Sequence, residues 1–150
     1  MLSINTPAPD FSLLDQNGDE HSLSEYQGSW ILVYFYPKDD TPGCTKEACM
    51  IRDVYDGFEE EDIIVMGISK DSVKSHKKFE EKYNLPFILL ADTSKSVIEQ
   101  YQADKFPGTK RISYLINPDG LIAHAFEKVT PADHADEVLA TVRSIKQNLY

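Results

Sequence analysis

Cysteine is scarce: the chain holds two, Cys44 and Cys49, in 150 residues. A secreted scaffold stapled by disulfides carries more of them in a shorter chain, so that class is excluded. Long apolar runs are missing too. The longest, Trp30 to Tyr36, falls well short of the roughly 20 residues that cross a bilayer. Met1-Leu2-Ser3-Ile4-Asn5 has neither a basic start nor an apolar core, so no secretory signal is read. Basic residues are in deficit, with 15 Lys plus Arg against 25 Asp plus Glu and a net charge of −10. That balance disfavours nucleic acid and anionic membranes as partners, since both want a cationic surface. Repeats, low-complexity tracts and long linkers are absent. The expectation is a cytoplasmic protein.

What remains is globular. With 41% hydrophobic and 27% charged residues, residues 1–150 read as a single domain, and a domain of this size buries about 70% of its unfolded surface. Phe11–Leu14 and Glu20–Leu23, joined through Asn17-Gly18, predict an N-terminal β-hairpin. Trp30–Tyr36 is a continuous β-favouring run, the mark of a strand buried on both faces. Pro37 ends it. From Cys44 to about Glu60, Ala48, Ile51, Tyr55 and Phe58 recur at helical spacing, so Cys44 is expected to open a helix. Ile63–Ile68 and Phe87–Leu90 predict further strands, separated by a polar helix over Ser72–Tyr83. A short helix is expected over Lys95–Tyr101, then a second hairpin, Ser113–Ile116 and Leu121–Phe126, turning at Asn117–Gly120. Thr130, Pro131 and Asp133 offer cap, first-turn proline and first-turn acid to a last helix, with Leu139, Val142, Ile145 and Leu149 as its buried stripe. Alternating strands and helices closed by a hairpin predict an α/β sandwich with a central mixed sheet.

The cysteines fall at the turn from a central strand into a helix, where ligands on open α/β sheets tend to bind. A sulfur there meets unsatisfied N–H groups and the positive end of the helix dipole, which favour a thiolate. Taken alone, a cysteine is more often a small buried hydrophobe. The turn residues Thr41, Pro42 and Gly43 just before Cys44 favour the reactive reading. Metal is the weaker option, because His21, His76, His124 and His134 are scattered and no second Cys pair completes a tetrahedral site. Spacing adds a constraint. Residues i and i+5 of an intact helix have Cα atoms roughly 8.7 Å apart, whereas a disulfide needs about 4.4–6.8 Å. Cys44 and Cys49 can therefore bond only if the first turns unwind.

The segment Tyr34-Phe-Tyr-Pro-Lys-Asp-Asp-Thr-Pro-Gly-Cys-Thr-Lys-Glu-Ala-Cys49 contains Pro37, Thr41 and Cys44 in a Pro-x-x-x-Thr-x-x-Cys arrangement. With Thr6-Pro-Ala-Pro-Asp-Phe11, Gly67-Ile-Ser-Lys-Asp71 and Arg111-Ile-Ser-Tyr-Leu-Ile116, the chain resembles the peroxiredoxins, in particular their peroxiredoxin Q or bacterioferritin comigratory protein branch. The resemblance implies a thioredoxin-like fold and a cofactor-free thiol peroxidase acting on hydrogen peroxide and organic hydroperoxides. It implies that Cys44 is peroxidatic and Cys49 resolving, their disulfide being recycled by a thioredoxin-like or glutaredoxin-like reductant. Thr41 would hydrogen-bond sulfur and peroxide, Arg111 would hold the thiolate and the peroxide oxygens, and Pro37 would shield the site from water. The branch resemblance also implies a monomer.

Chemistry assigns weight among these groups. A thiol acidified from about 8.5 to about 6 gains about 30-fold in thiolate at pH 7. Its lower basicity costs about 13-fold in nucleophilicity if a slope of about 0.45 holds. The net gain is only about 2-fold. Most of the acceleration must come from aligning the peroxide and stabilising charge on the departing oxygen. Thr41, Arg111 and the amides around Gly43 and Cys44 are the expected donors. The nearest rival is a thiol–disulfide oxidoreductase or redox sensor on the same fold, against which the spacing counts. A non-enzymatic interaction domain and a Cys–His hydrolase using His124 stand further off. Asp39 and Asp40 read more simply as loop polarity than as an acid pair.

Overall fold

The apolar run from Trp30 becomes strand β3 (Trp30–Phe35), and every residue in it is buried. The computed structural model describes residues 1–148. Upstream lie β1 (Ser12–Asp15) and β2 (Glu20–Ser22), and downstream β4 (Ile63–Ser69), β5 (Ile88–Ala91), β6 (Ile112–Ile116) and β7 (Ile122–Phe126). All seven join one sheet in the order β2-β1-β5-β4-β3-β6-β7. β3, β4 and β5 are mutually parallel neighbours, while β1, β2, β6 and β7 attach antiparallel. The N-terminal hairpin extends the sheet, with Leu14 opposite Ala91 of β5.

Helices α1 (Pro42–Asp53), α2 (Tyr55–Glu60), α3 (Val73–Tyr83), α4 (Ser96–Gln100) and α5 (His134–Asn148) cover the sheet. Side chains alternate along β3. Leu32 and Tyr34 pack with Ile51, Phe58, Phe79 and Val142 on one face, while Ile31, Val33 and Phe35 meet Val97, Ile98 and Tyr101 on the other. Each buried phenylalanine of this kind contributes about 1.5–3 kcal/mol. The Tyr34 ring lies over its cross-strand partner Gly67, where an added Cβ would come within 2.7 Å of the ring.

Three boundaries differ from the sequence reading. The helix expected from Cys44 to about Glu60 starts at Pro42 and is interrupted at Val54, whose ψ of 21° is not helical. The last helix starts at His134, three residues after the expected Pro131, and is led in by a turn in which Asp133 and His134 both donate their amides to the Thr130 carbonyl. Of its expected stripe, Leu139 and Val142 are buried and Ile145 is half-buried; Leu149 lies outside the described residues.

The topology places chemistry at one edge. The loops that follow β3 and β4 share the carboxyl end of the parallel strands. β6 runs antiparallel to β3 with Ile112 opposite Phe35, so the residue before β6 is delivered beside the residues after β3.

Candidate active site

Thr41 has extended dihedrals (φ −99°, ψ 155°) and forms the N-cap of α1, and Pro42 occupies the first turn. A proline there loses no helical hydrogen bond and brings a suitable φ. Cys44 is thus the third residue of the helix, and it is 2% exposed. The Thr45 amide already donates to the Thr41 carbonyl at 2.8 Å. The amides of Gly43 and Cys44 are the first-turn donors for which helix geometry offers no acceptor.

Register brings Arg111 to this turn from 67 residues away, and its Nη2 donates to Cys44 Sγ at 3.4 Å. Nη1 donates to Glu47 Oε1 at 2.9 Å. Burial opposes the Arg111 charge, but the Cys44 sulfur and the Glu47 carboxylate outweigh it and hold the guanidinium above its ordinary value. Close approach requires Gly43, because a Cβ there would lie 2.9 Å from Arg111 Nη2.

Glu47 was not singled out from sequence. It stands three residues after Cys44, hence on the same helical face. Its side chain is 1% exposed. Burial raises its carboxyl to about 7 despite the opposing Arg111 charge. Among the described residues Oε2 has no hydrogen-bond partner, and neither has the buried Tyr34 hydroxyl. Burial, then the negative charges of Glu47, Asp39 and Cys44, push the Tyr34 phenol well above its usual range. The signal for Glu47 was available in the Cys44-to-Glu47 spacing, but a charged helix residue reads by default as solvated.

The other expected residues occupy distinct places. Pro37 lines a cleft of about 560 Å³ with Met1, Lys110, Arg111 and Ile112. Thr41 lies at the site, but the expected hydrogen bond from its hydroxyl to sulfur is not formed. Instead Oγ1 donates to the Lys38 carbonyl at 2.7 Å, closing the loop before the helix. Cys49 is half-buried and both thiols are free, on a helix continuous through the two positions. Asp40 sits on the surface against Lys82 and Tyr83, as loop polarity. Asp39 does not fit that reading, being 7% exposed and enclosed in hydrogen bonds. His124 packs against Phe126 on β7, whereas the Cys44 sulfur accepts its hydrogen bond from Arg111.

A buried sulfur at a helix start, a guanidinium on it and two unspent amides can bind an anionic oxygen while sulfur attacks its neighbour. A match to the AhpC/TSA family spans residues 4–125. Peroxiredoxin Bcp of Bacillus subtilis is 39% identical over 154 residues, covering 97% of this chain and 98% of the relative. The crystal structure of peroxidoxin BcpB from Mycobacterium tuberculosis superposes with a TM-score of 0.89 at 32% identity, covering 97% and 99% of the two chains. The bacterioferritin comigratory protein of Xanthomonas campestris, in a structure concerned with its alkyl peroxide reduction, gives a TM-score of 0.88 at 32% identity over 96% and 97%. The sheet and its flanking helices are accordingly thioredoxin-like, and the chain belongs to the AhpC/TSA family, in its peroxiredoxin Bcp and peroxiredoxin Q branch.

Proposed function

We propose that Cys44 is the peroxidatic and Cys49 the resolving cysteine of this thiol-dependent peroxidase. Hydrogen peroxide and organic hydroperoxides are its substrates. The Cys44 thiolate attacks the distal peroxide oxygen; the S–O bond forms as the O–O bond breaks, and the peroxide proton passes to the departing alcohol or water. The sulfenate takes up a proton. Cys49 then attacks the sulfenic acid, giving the Cys44–Cys49 disulfide and water before further oxidation intervenes. A thioredoxin-like or glutaredoxin-like dithiol returns two electrons and two protons.

The observation that carries this reading is the Arg111 guanidinium, 3.4 Å from Sγ and anchored on Glu47. It stabilises the thiolate and reaches the space where peroxide oxygens would lie, beside the Gly43 and Cys44 amides. The Thr41 hydroxyl, with its proton directed to Lys38, presents lone pairs that can accept the peroxide proton. Pro37 and Arg111 flank the cleft by which substrate approaches. Residues 1–150 act as one domain and as a monomer in the cytoplasm, a reducing compartment that suits two free thiols. No helix among the described residues is long and apolar enough to cross a membrane.

The test is turnover. Wild type should consume peroxide continuously with a thioredoxin system. Cys49→Ser should consume one peroxide per chain and stop, and sustained turnover by that variant would remove Cys49 from the assignment.

A further inference from the structure

Asp39 belongs to the loop that carries Thr41 into α1, yet its carboxylate turns inward. Oδ1 accepts from the Tyr36 hydroxyl at 2.6 Å, and Oδ2 accepts from Ser75 Oγ at 2.7 Å. Oδ2 also lies 2.7 Å from His76 Nδ1, on the buried face of α3. His76 is 0% exposed, and its Nε2 is 2.9 Å from the Leu90 carbonyl of β5. The Asp39 amide in turn donates to Asp71 Oδ2 at 2.9 Å, an oxygen that also accepts from Ser69 Oγ at 2.6 Å.

Hydrogen-bond chemistry fixes the proton count. A carbonyl oxygen only accepts, so Nε2 must carry a proton. An ionised carboxylate also only accepts, so a bare Nδ1 at 2.7 Å would set lone pair against lone pair. The Asp39–His76 contact therefore holds a proton of its own. Two hydroxyls donate to the same Asp39 carboxyl group, and a second acidic side chain, Asp71, lies nearby. Asp39, Asp71 and His76 bring potential metal-ligand atoms within 4.8 Å of one another. With both ring nitrogens engaged in hydrogen bonds, the imidazole has no free lone pair for a cation.

We propose that Asp39 and His76 are positioning residues for peroxide reduction: a buried hydrogen-bonded pair that clamps the catalytic loop to α3 and β5. It holds the segment before Thr41 fixed while the first turns of α1 unwind to join Cys44 and Cys49. The inference rests on the peroxidase reading for its kinetic consequence, but the hydrogen-bonded pair itself does not. Loosening the clamp displaces Pro37, Thr41 and the Gly43 amide relative to the sulfur, and misplacement of this kind costs reaction rate steeply. It leaves nothing for the later thiol attack to lose, because that step already requires a mobile helix start.

Two measurements test it. In wild-type protein, ¹H spectra should show two slowly exchanging downfield protons in the His76 ring contacts, one towards the Leu90 carbonyl and one shared with Asp39. Absence of the second overturns the clamp, whether or not the protein consumes peroxide. In single turnover, His76→Asn should slow Cys44 oxidation by peroxide by about tenfold or more, with disulfide formation as fast as in wild type or faster. Equal rates of Cys44 oxidation, or equal slowing of both steps, overturn the positioning role. Failure of the wild type to reduce peroxide would instead strike the peroxidase reading and leave the spectroscopic result standing.

Discussion

Arg111 makes two contacts that divide its labour. One guanidinium nitrogen meets the sulfur and the other is held by Glu47, so the side chain is aimed before any substrate arrives. Removing one preorganised donor from a developing oxyanion costs about 10²–10³-fold in rate. Arg111→Ala should therefore slow peroxide reduction by that order while slowing alkylation by a neutral reagent such as iodoacetamide far less. Equal slowing would mean that Arg111 only adjusts ionisation. Glu47 carries a pH signature. Its carboxyl is raised to about 7 in the fold from an ordinary 4.5. The folded state thus binds more protons than the unfolded state between those values, and stability from this group falls as pH rises through that window. Glu47→Gln removes the dependence, so its melting temperature relative to wild type should be higher at about pH 8 than at about pH 4. A difference independent of pH would contradict the burial account. At this scale Cys44 and Arg111 were legible because their residue types and motifs stand out. Glu47 and Asp39 were not, since acidic residues default to solvent and only tertiary contacts pull them inside.

Among the elements, α1 bears both thiols and must change shape to join them. Its start was misplaced by two residues in the sequence reading, although Thr41-Pro42 is a recognisable cap and first-turn pair. Periodicity of apolar residues locates the buried face of a helix but not its ends, and it passed over the interruption at Val54 for the same reason. Gly43 links the helix to the site. In Gly43→Ala the new methyl meets the flexible end of Arg111, so the backbone need not move but the guanidinium must. The melting temperature should be unchanged or raised, since alanine favours helix by up to about 1 kcal/mol over glycine. Reaction of Cys44 with peroxide should fall by about tenfold or more. An unchanged rate would show that the guanidinium position is not critical. The helix also predicts the form of the oxidised protein. Because residues five apart in a helix exceed disulfide reach, amide exchange over residues 42–49 should accelerate on oxidation, while β3 stays protected. A fully protected helix in the disulfide form would contradict the unwinding.

At the level of the whole molecule, the sheet is the device that assembles the site. The continuous apolar run of β3 revealed a strand buried on both faces, and the turn residues at Asn17-Gly18 and Asn117–Gly120 revealed the two hairpins. Spatial order was less accessible. The docking of β1 on β5 and of β6 on β3 depends on contacts between distant segments, and it is β6 that sets Arg111 beside Cys44. Every part of the proposed cycle converges on the fate of two sulfurs at the carboxyl edge of that sheet. The most direct measurement is mass spectrometry of the reduced protein after one equivalent of peroxide, with the linkage mapped by proteolysis. The account predicts the loss of two hydrogens per chain and a peptide joining Cys44 to Cys49, both reversed by a thioredoxin system. Recovery of an unmodified Cys44, or of oxygen retained on Cys44 with Cys49 still a free thiol, would contradict it.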